Sequence, residues 1–127
     1  PQQSAEYFEN AKDLILEEKR NLRARFLQFK FHKIESSITE SALARADRRI
    51  APIIEYAWKT GATFDLWSEK FDFEIWKTAF ETFDMDIHKT AQKEIPTEQT
   101  LPWDHLAGPE KDYLLDHLKQ ARDIAEI

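Results

Sequence analysis

Apolar residues recur at helical spacing in five stretches of the chain, so the pattern predicts about five helices. The first follows Ser4, a suitable N-cap, and the second follows a capping-box pattern at residues 37–40. A third carries an apolar stripe that ends near Gly61, a fourth begins after Asp72, and the last lies near the C-terminus. Residues 86–109 hold three of the five prolines and are predicted to form an ordered loop or an arm.

In residues 24–32 apolar and polar residues alternate with a period of two, instead of recurring at helical spacing. Apolar Leu27, Phe29 and Phe31 alternate with polar side chains, which is typical of a half-buried β-strand. A single strand leaves its backbone groups without partners. It therefore pairs with a strand hidden in the loops, with its twin in a homodimer through the strand edge, or with a larger sheet from which the chain was cut. The predicted fold class is α+β, predominantly helical, with one amphipathic strand.

Aromatic residues concentrate in the stretch "FDLWSEKFDFEIW", residues 64–76. Four large apolar residues beginning in this stretch share one helical face, and core packing explains them: Phe73, Trp76, Phe80 and Phe83. Trp67, with Glu69 nearby, is the ring of this stretch that could instead face a ligand.

Composition excludes several classes of chemistry. The chain of 127 residues has two glycines, too few and too far apart for a Gly-rich phosphate loop. It has no cysteine, which excludes disulfides, thiol nucleophiles and cysteine-ligated iron–sulfur clusters. The net charge of −6 disfavours nucleic-acid binding through the overall field. Neither a membrane span nor a signal peptide is evident, so a soluble cytoplasmic protein is expected.

Two short polar motifs are candidate contact sites. "ARADRRI" places three arginines around one aspartate, an arrangement that can grip an anion bidentately: Arg45, Asp47, Arg48 and Arg49. The competing interpretation is that Asp47 caps a helix while an arginine pairs with a neighbouring acid such as Glu40. "LPWDHL" places Asp104 beside His105, but neighbouring residues rarely ligate one metal ion, and the four histidines lack ligand spacing. No metal site is predicted.

Six cations cluster around the predicted strand: Lys19, Arg20, Arg23, Arg25, Lys30 and Lys33. Polar faces of this kind occur in RNA-binding sheets. The aromatic residues are predicted to lie on the opposite, buried face, which leaves no platform for stacking bases. The more ordinary interpretation is an exposed strand edge where lysine prevents pairing with another chain, so nucleic acid is not an expected partner.

Three blocks, in order, carry a resemblance to a known family: "ARADRRI", "AWKTGATFDLWSEKF" and "LPWDHL". From about Phe31 onward the chain resembles the region C-terminal to the barrel in a family of bacterial radical-SAM Fe–S oxidoreductases, whose longer chains carry a B12-binding-like N-terminal segment. Two positions depart from the family pattern, Ala46 where glycine is expected and Lys70 where histidine is usual. The family's cluster-binding CxxxCxxC motif is absent and would lie upstream.

The resemblance implies that residues 1–33 are the helix–strand tail of the α/β barrel and that residues 34–127 form a helical accessory domain. The parent protein would bind a [4Fe–4S] cluster and S-adenosylmethionine, with no ligand from this chain. The accessory domain would cover the barrel, its partner in the same chain, and help to enclose substrate. Contacts to an anion, substrate or neighbouring domain would come from Arg45, Asp47, Arg48, Arg49, Trp67, Glu69, Asp104 and His105. A helical protein-interaction module without catalytic function is the alternative.

Overall fold

The computed structural model describes residues 2–63, 65, 67–106 and 108–125, and its regular structure is helical. Within these residues it contains six α-helices and one 3₁₀ turn, Arg48–Ile50. The helices are α1 (Ala5–Asn21), α2 (Ile34–Arg45), α3 (Ala51–Lys59), α4 (Phe73–Thr82), α5 (Ile87–Gln92) and α6 (Lys111–Ala125). None of them is long and apolar enough to cross a membrane.

Local signals position several helix ends as the sequence indicates. The side chains of Ser4 and Asp72 accept hydrogen bonds from the first turns of α1 and α4. Pro52 lies in the first turn of α3, where its missing amide hydrogen has no intrahelical partner to lose. The predicted helix start at residues 37–40 is wrong, because α2 begins earlier, at Ile34, and Ser37 lies within it.

The predicted strand at residues 24–32 is wrong, and the α+β fold class with it: among the described residues there is no strand or sheet. The segment is irregular after a turn at residues 22–26. Leu27, Phe29 and Phe31 each keep about two fifths of their surface exposed, so their alternation produces no buried face. In the part of the chain that the structure describes, the amides of residues 28–32 donate to no backbone acceptor. Alternation favours a strand only where a neighbouring strand supplies those acceptors.

Hydrogen exchange of the backbone amides tests whether residues 28–32 are unpaired. We expect the amides of residues 28–32 to exchange at the rate of an unstructured peptide, because solvent is their hydrogen-bond partner. The amides of α4 should be strongly protected and serve as the internal control. Protection of residues 28–32 that grows with protein concentration would contradict this expectation and indicate pairing between two copies.

The hydrophobic core lies between α2, α3, α4 and α5. Four alanines allow the helices to approach closely: Ala42, Ala57, Ala79 and Ala91. Larger side chains fill the space between the helices: Ile38, Ile53, Trp76, Phe80 and Ile87. The most extensive helix pairing joins α2 to α5, where the Ser41 hydroxyl donates to the Ala91 carbonyl at 3.3 Å. Residues 1–94 form one compact unit around this core.

Residues 95–127 form a second compact unit that contains α6. The spacing of Tyr113, Leu114 and Leu118 predicts a buried face for this helix, but no residue of α6 is buried. The side chain of Lys111 donates to the Gln99 carbonyl at 3.3 Å, which joins the helix to the preceding loop. This unit is too short to build a core of its own.

Candidate functional site

The arginine motif lies in the turn between α2 and α3. Asp47 accepts the backbone amide of Arg49 at 2.9 Å and caps the 3₁₀ turn. Its carboxylate also receives the Arg49 guanidinium, through Nε at 2.9 and 3.0 Å and through Nη2 at 2.8 Å. These bonds with Arg49 lower the pKa of Asp47 below its ordinary value. The capping and pairing interpretation therefore accounts for both residues.

Arg45 is likewise engaged within the unit. Its Nη2 donates a short hydrogen bond to the carbonyl of Lys93, just after α5. Its Nε is buried and has no hydrogen-bond partner in the described part of the chain. Arg48 is exposed at the start of the turn. Of the three arginines, Arg45 and Arg49 thus form hydrogen bonds within the unit, whereas for Arg48 the structure shows an exposed residue.

Trp67 and Glu69 lie in the loop between α3 and α4, and both are exposed. The loop is held by its own backbone, because the Trp67 carbonyl accepts the amides of Lys70 at 2.7 Å and Phe71 at 3.1 Å. Lys33, from the start of α2, donates to the carbonyl of Ser68 at 2.7 Å. These bonds hold the backbone of residues 67–71, and Trp67 is 58% exposed.

Asp104 and His105 belong to the second unit. Asp104 accepts the amide of Leu101 at 2.8 Å, as a turn-forming aspartate does, and His105 is exposed. The described residues hold no group of three or more His, Asp or Glu side chains placed to bind a metal ion. The eight predicted contact residues are thus divided between the two units, and none of them lines the cavities beside α1.

The first cavity, which we call the α1–α2 groove, has a volume of about 490 Å³. Its floor is apolar and comes from α1, from the irregular segment and from the start of α2: Phe8, Ala11, Ile15, Phe31 and Ile34. Charged side chains of both signs surround it: Glu9, Lys12, Lys33 and Glu35. A floor of this kind suits a protein surface or an apolar ligand.

The second cavity, which we call the basic cavity, has a volume of about 510 Å³ and lies at the C-terminal end of α1. Four cations line it with Leu16 and Ala24: Lys19, Arg20, Arg23 and Arg25. The sequence shows these cations close together: Lys19 and Arg20 lie in the last turn of α1, and Arg23 and Arg25 follow its end at Asn21.

Comparison of the chain with protein-family models, with curated proteins and with solved structures finds no match. Its function therefore has to be argued from its own residues and from the resemblance of its three sequence blocks. Two observations bear on it, the weakly buried N-terminal residues and the basic cavity.

Proposed function

We propose that this chain is the C-terminal accessory part of a cytoplasmic radical-SAM Fe–S oxidoreductase and that residues 1–33 pack against the barrel of the same parent protein. The barrel would hold the [4Fe–4S] cluster and S-adenosylmethionine. This chain supplies no cysteine and would act by covering the barrel. A covering domain excludes water and side reactants from radical intermediates.

The observation that carries the proposal is the surface of residues 2–33. Of these residues only Ala24 is buried, yet the segment presents large apolar side chains to solvent. The most exposed are Leu22 at 73% and Phe26 at 85%, and they accompany Tyr7, Leu14, Ile15, Leu27, Phe29 and Phe31. Removing apolar surface of this kind from water favours association with a partner. Clustered apolar surface of this kind is typical of a protein interface.

Hydrogen bonds within the same unit involve Arg45, Asp47, Arg49 and Asp104, and Glu69 accepts one from the Ser68 hydroxyl at 3.5 Å. We propose that four residues with exposed side chains contact substrate or the barrel: Arg48, Trp67, Glu69 and His105.

The upstream reading frame and an iron assay test this proposal. We expect the frame that encodes this chain to continue upstream into a CxxxCxxC motif. The parent protein, reconstituted with iron and sulfide, should then hold about one [4Fe–4S] cluster, whereas this chain alone should hold none because it lacks thiolate ligands. Visible absorbance and iron content measure both. A cluster on this chain alone, or a parent frame without the motif, would contradict the proposal.

A second measurement tests the covering function within the parent protein. Ile15 lines the α1–α2 groove, so Ile15→Asp should loosen the accessory part and speed its release by limited proteolysis, with the cluster absorbance unchanged. Glu17→Gln, on the same helix but outside the groove, is the matched control. Equal proteolysis rates for the two variants would show that the groove does not contact the barrel.

A helical protein-interaction module without catalytic function is the second candidate. The observation that favours it is α6, whose apolar residues Tyr113, Leu114 and Leu118 are all exposed. A parent frame that lacks the cluster motif, together with a complex formed through α6, would favour this module over the enzyme.

A further inference from the structure

We propose that the basic cavity binds a small molecule that carries two or more phosphate groups. The four cations that line the cavity provide the site: Lys19, Arg20, Arg23 and Arg25. The inference does not depend on the proposed enzyme, because it rests on the residues that line the cavity and on the turn that ends α1.

Charge is distributed unevenly along the chain. Residues 19–33 contain six of its 18 lysines and arginines and none of its 24 acidic residues, although the net charge of the whole chain is −6. Among the described residues, none of the four cations of the basic cavity forms a salt bridge. Like charges so close together repel one another, and a bound anion relieves that repulsion.

The backbone supplies a second, independent observation. At the end of α1 the amide of Ala24 bonds the Lys19 carbonyl at 3.2 Å, and the amide of Arg23 bonds the Arg20 carbonyl at 3.0 Å. This is a Schellman motif, whose left-handed position usually holds glycine. Here Arg23 occupies it with φ = 50°. Arginine, unlike aspartate or asparagine, rarely adopts this conformation, and this favours a role for its side chain at the cavity.

Helix termination alone does not account for the cations. Cations in the last turn interact favourably with the negative end of the helix dipole, and this explains Lys19 and Arg20. It does not explain Arg23, where glycine would end the helix with less strain, or Arg25, which lies beyond the helix. The lysine-guarded strand edge does not apply either, because residues 24–32 form no strand.

Phosphate groups are the anions that these residues suit. A guanidinium binds two phosphate oxygens at once, and three of the four cations are arginines. A volume of about 510 Å³ matches the size of small-molecule sites. Leu16 and Ala24 supply an apolar surface for the rest of the ligand. The Nζ atom of Lys19 lies 5.9 Å from the centre of the Phe29 ring, a cation–π contact.

Inorganic pyrophosphate is the probe, and calorimetric titration of the whole chain at low salt is the measurement. Arg23→Gly is the informative variant because it removes the guanidinium and the strain together. We expect it to leave the melting temperature unchanged or raise it by up to about 4 °C. The same substitution should weaken pyrophosphate binding by about tenfold or more, through the loss of a charge-assisted contact.

Asp84→Gly is the control matched in backbone geometry. Asp84 has φ = 55° and ends α4 in the same motif, with the Met85 amide on the Phe80 carbonyl at 2.9 Å. We expect the same thermal behaviour as for Arg23→Gly, with pyrophosphate binding changed by less than about twofold, since Asp84 does not line the basic cavity.

A second pair of variants controls for charge without touching the helix end. Arg25→Gln should weaken binding by about tenfold, whereas Lys30→Gln, outside the cavity, should change it by less than about twofold. Equal losses for this pair would show diffuse attraction and overturn the proposal. Failure of the unmodified chain to bind millimolar pyrophosphate would overturn it as well. Binding of single-stranded RNA or of vesicles containing phosphatidylserine, without binding of pyrophosphate, would assign the cations to a macromolecular surface instead.

Discussion

Phe80→Ala is expected to lower the free energy of unfolding of residues 1–94 by about 3–5 kcal/mol. Phe80 is fully buried on α4 and is one of the largest side chains in the core between α2, α3, α4 and α5. Truncation removes its contacts and leaves a cavity that close-packed neighbours fill only in part. Because a domain of this size is stable by about 5–15 kcal/mol, the variant should lose a large share of its stability.

Urea denaturation followed by circular dichroism measures this effect, with Phe83→Ala as the matched control. Phe83 lies three residues further along, is 40% exposed, and touches Tyr56 edge to face at 6.1 Å between ring centres. Its truncation should lower the free energy of unfolding by about 1 kcal/mol. Equal losses at the two positions would mean that Phe80 does not lie at the centre of the core.

The contrast between these two phenylalanines shows what helical spacing predicts and where it stops. Phe73, Trp76, Phe80 and Phe83 share one face by spacing, and the structure buries Trp76 and Phe80 completely or nearly so. The face continues past the core, however, so Phe83 at the end of α4 is partly exposed. Spacing identifies a face, whereas the extent of burial depends on the length of the neighbouring helices.

Local signals predicted some of the helix caps correctly, because a cap requires only contacts within a few residues. Asp72 accepts the amide of Glu74, and Asp47 accepts the amide of Arg49, both as the sequence indicates. Helix α5 was missed, because its six residues show a single apolar pair and are followed by prolines. Its N-cap, Asp86, which accepts the amide of Lys89 at 2.9 Å, was the available signal.

Features that depend on distant parts of the chain could not be predicted. The strand assignment failed because alternation does not reveal whether a partner strand exists. Arg45 donates to a carbonyl 48 residues away, so its engagement within the fold is invisible in the sequence. The basic cavity depends on the left-handed turn at Arg23. The sequence does not indicate this turn, because arginine rarely adopts a left-handed conformation.

Trp76→Ala is the second substitution with a large expected effect, about 3–5 kcal/mol of the free energy of unfolding. The ring is 6% exposed and packs in the same core as Phe80. Its Nε1 also donates to Oδ2 of Asp65 at 3.2 Å. The other oxygen of that carboxylate, Oδ1, is buried and has no hydrogen-bond partner in the described part of the chain. Removing the indole therefore deprives Asp65 of its Trp76 hydrogen bond as well as opening a cavity.

Trp76→Phe separates these two effects. It keeps most of the apolar contact but removes the donor to Asp65, so we expect a loss of about 1–3 kcal/mol, the range for leaving a buried acceptor unsatisfied. In an Asp65→Ala background the same Trp76→Phe change should have a smaller effect, because no acceptor is left unpaired. Equal effects in both backgrounds would show that the hydrogen bond contributes nothing. A loss below about 1 kcal/mol for Trp76→Ala itself would show that the ring is exposed in solution and that the core is built differently.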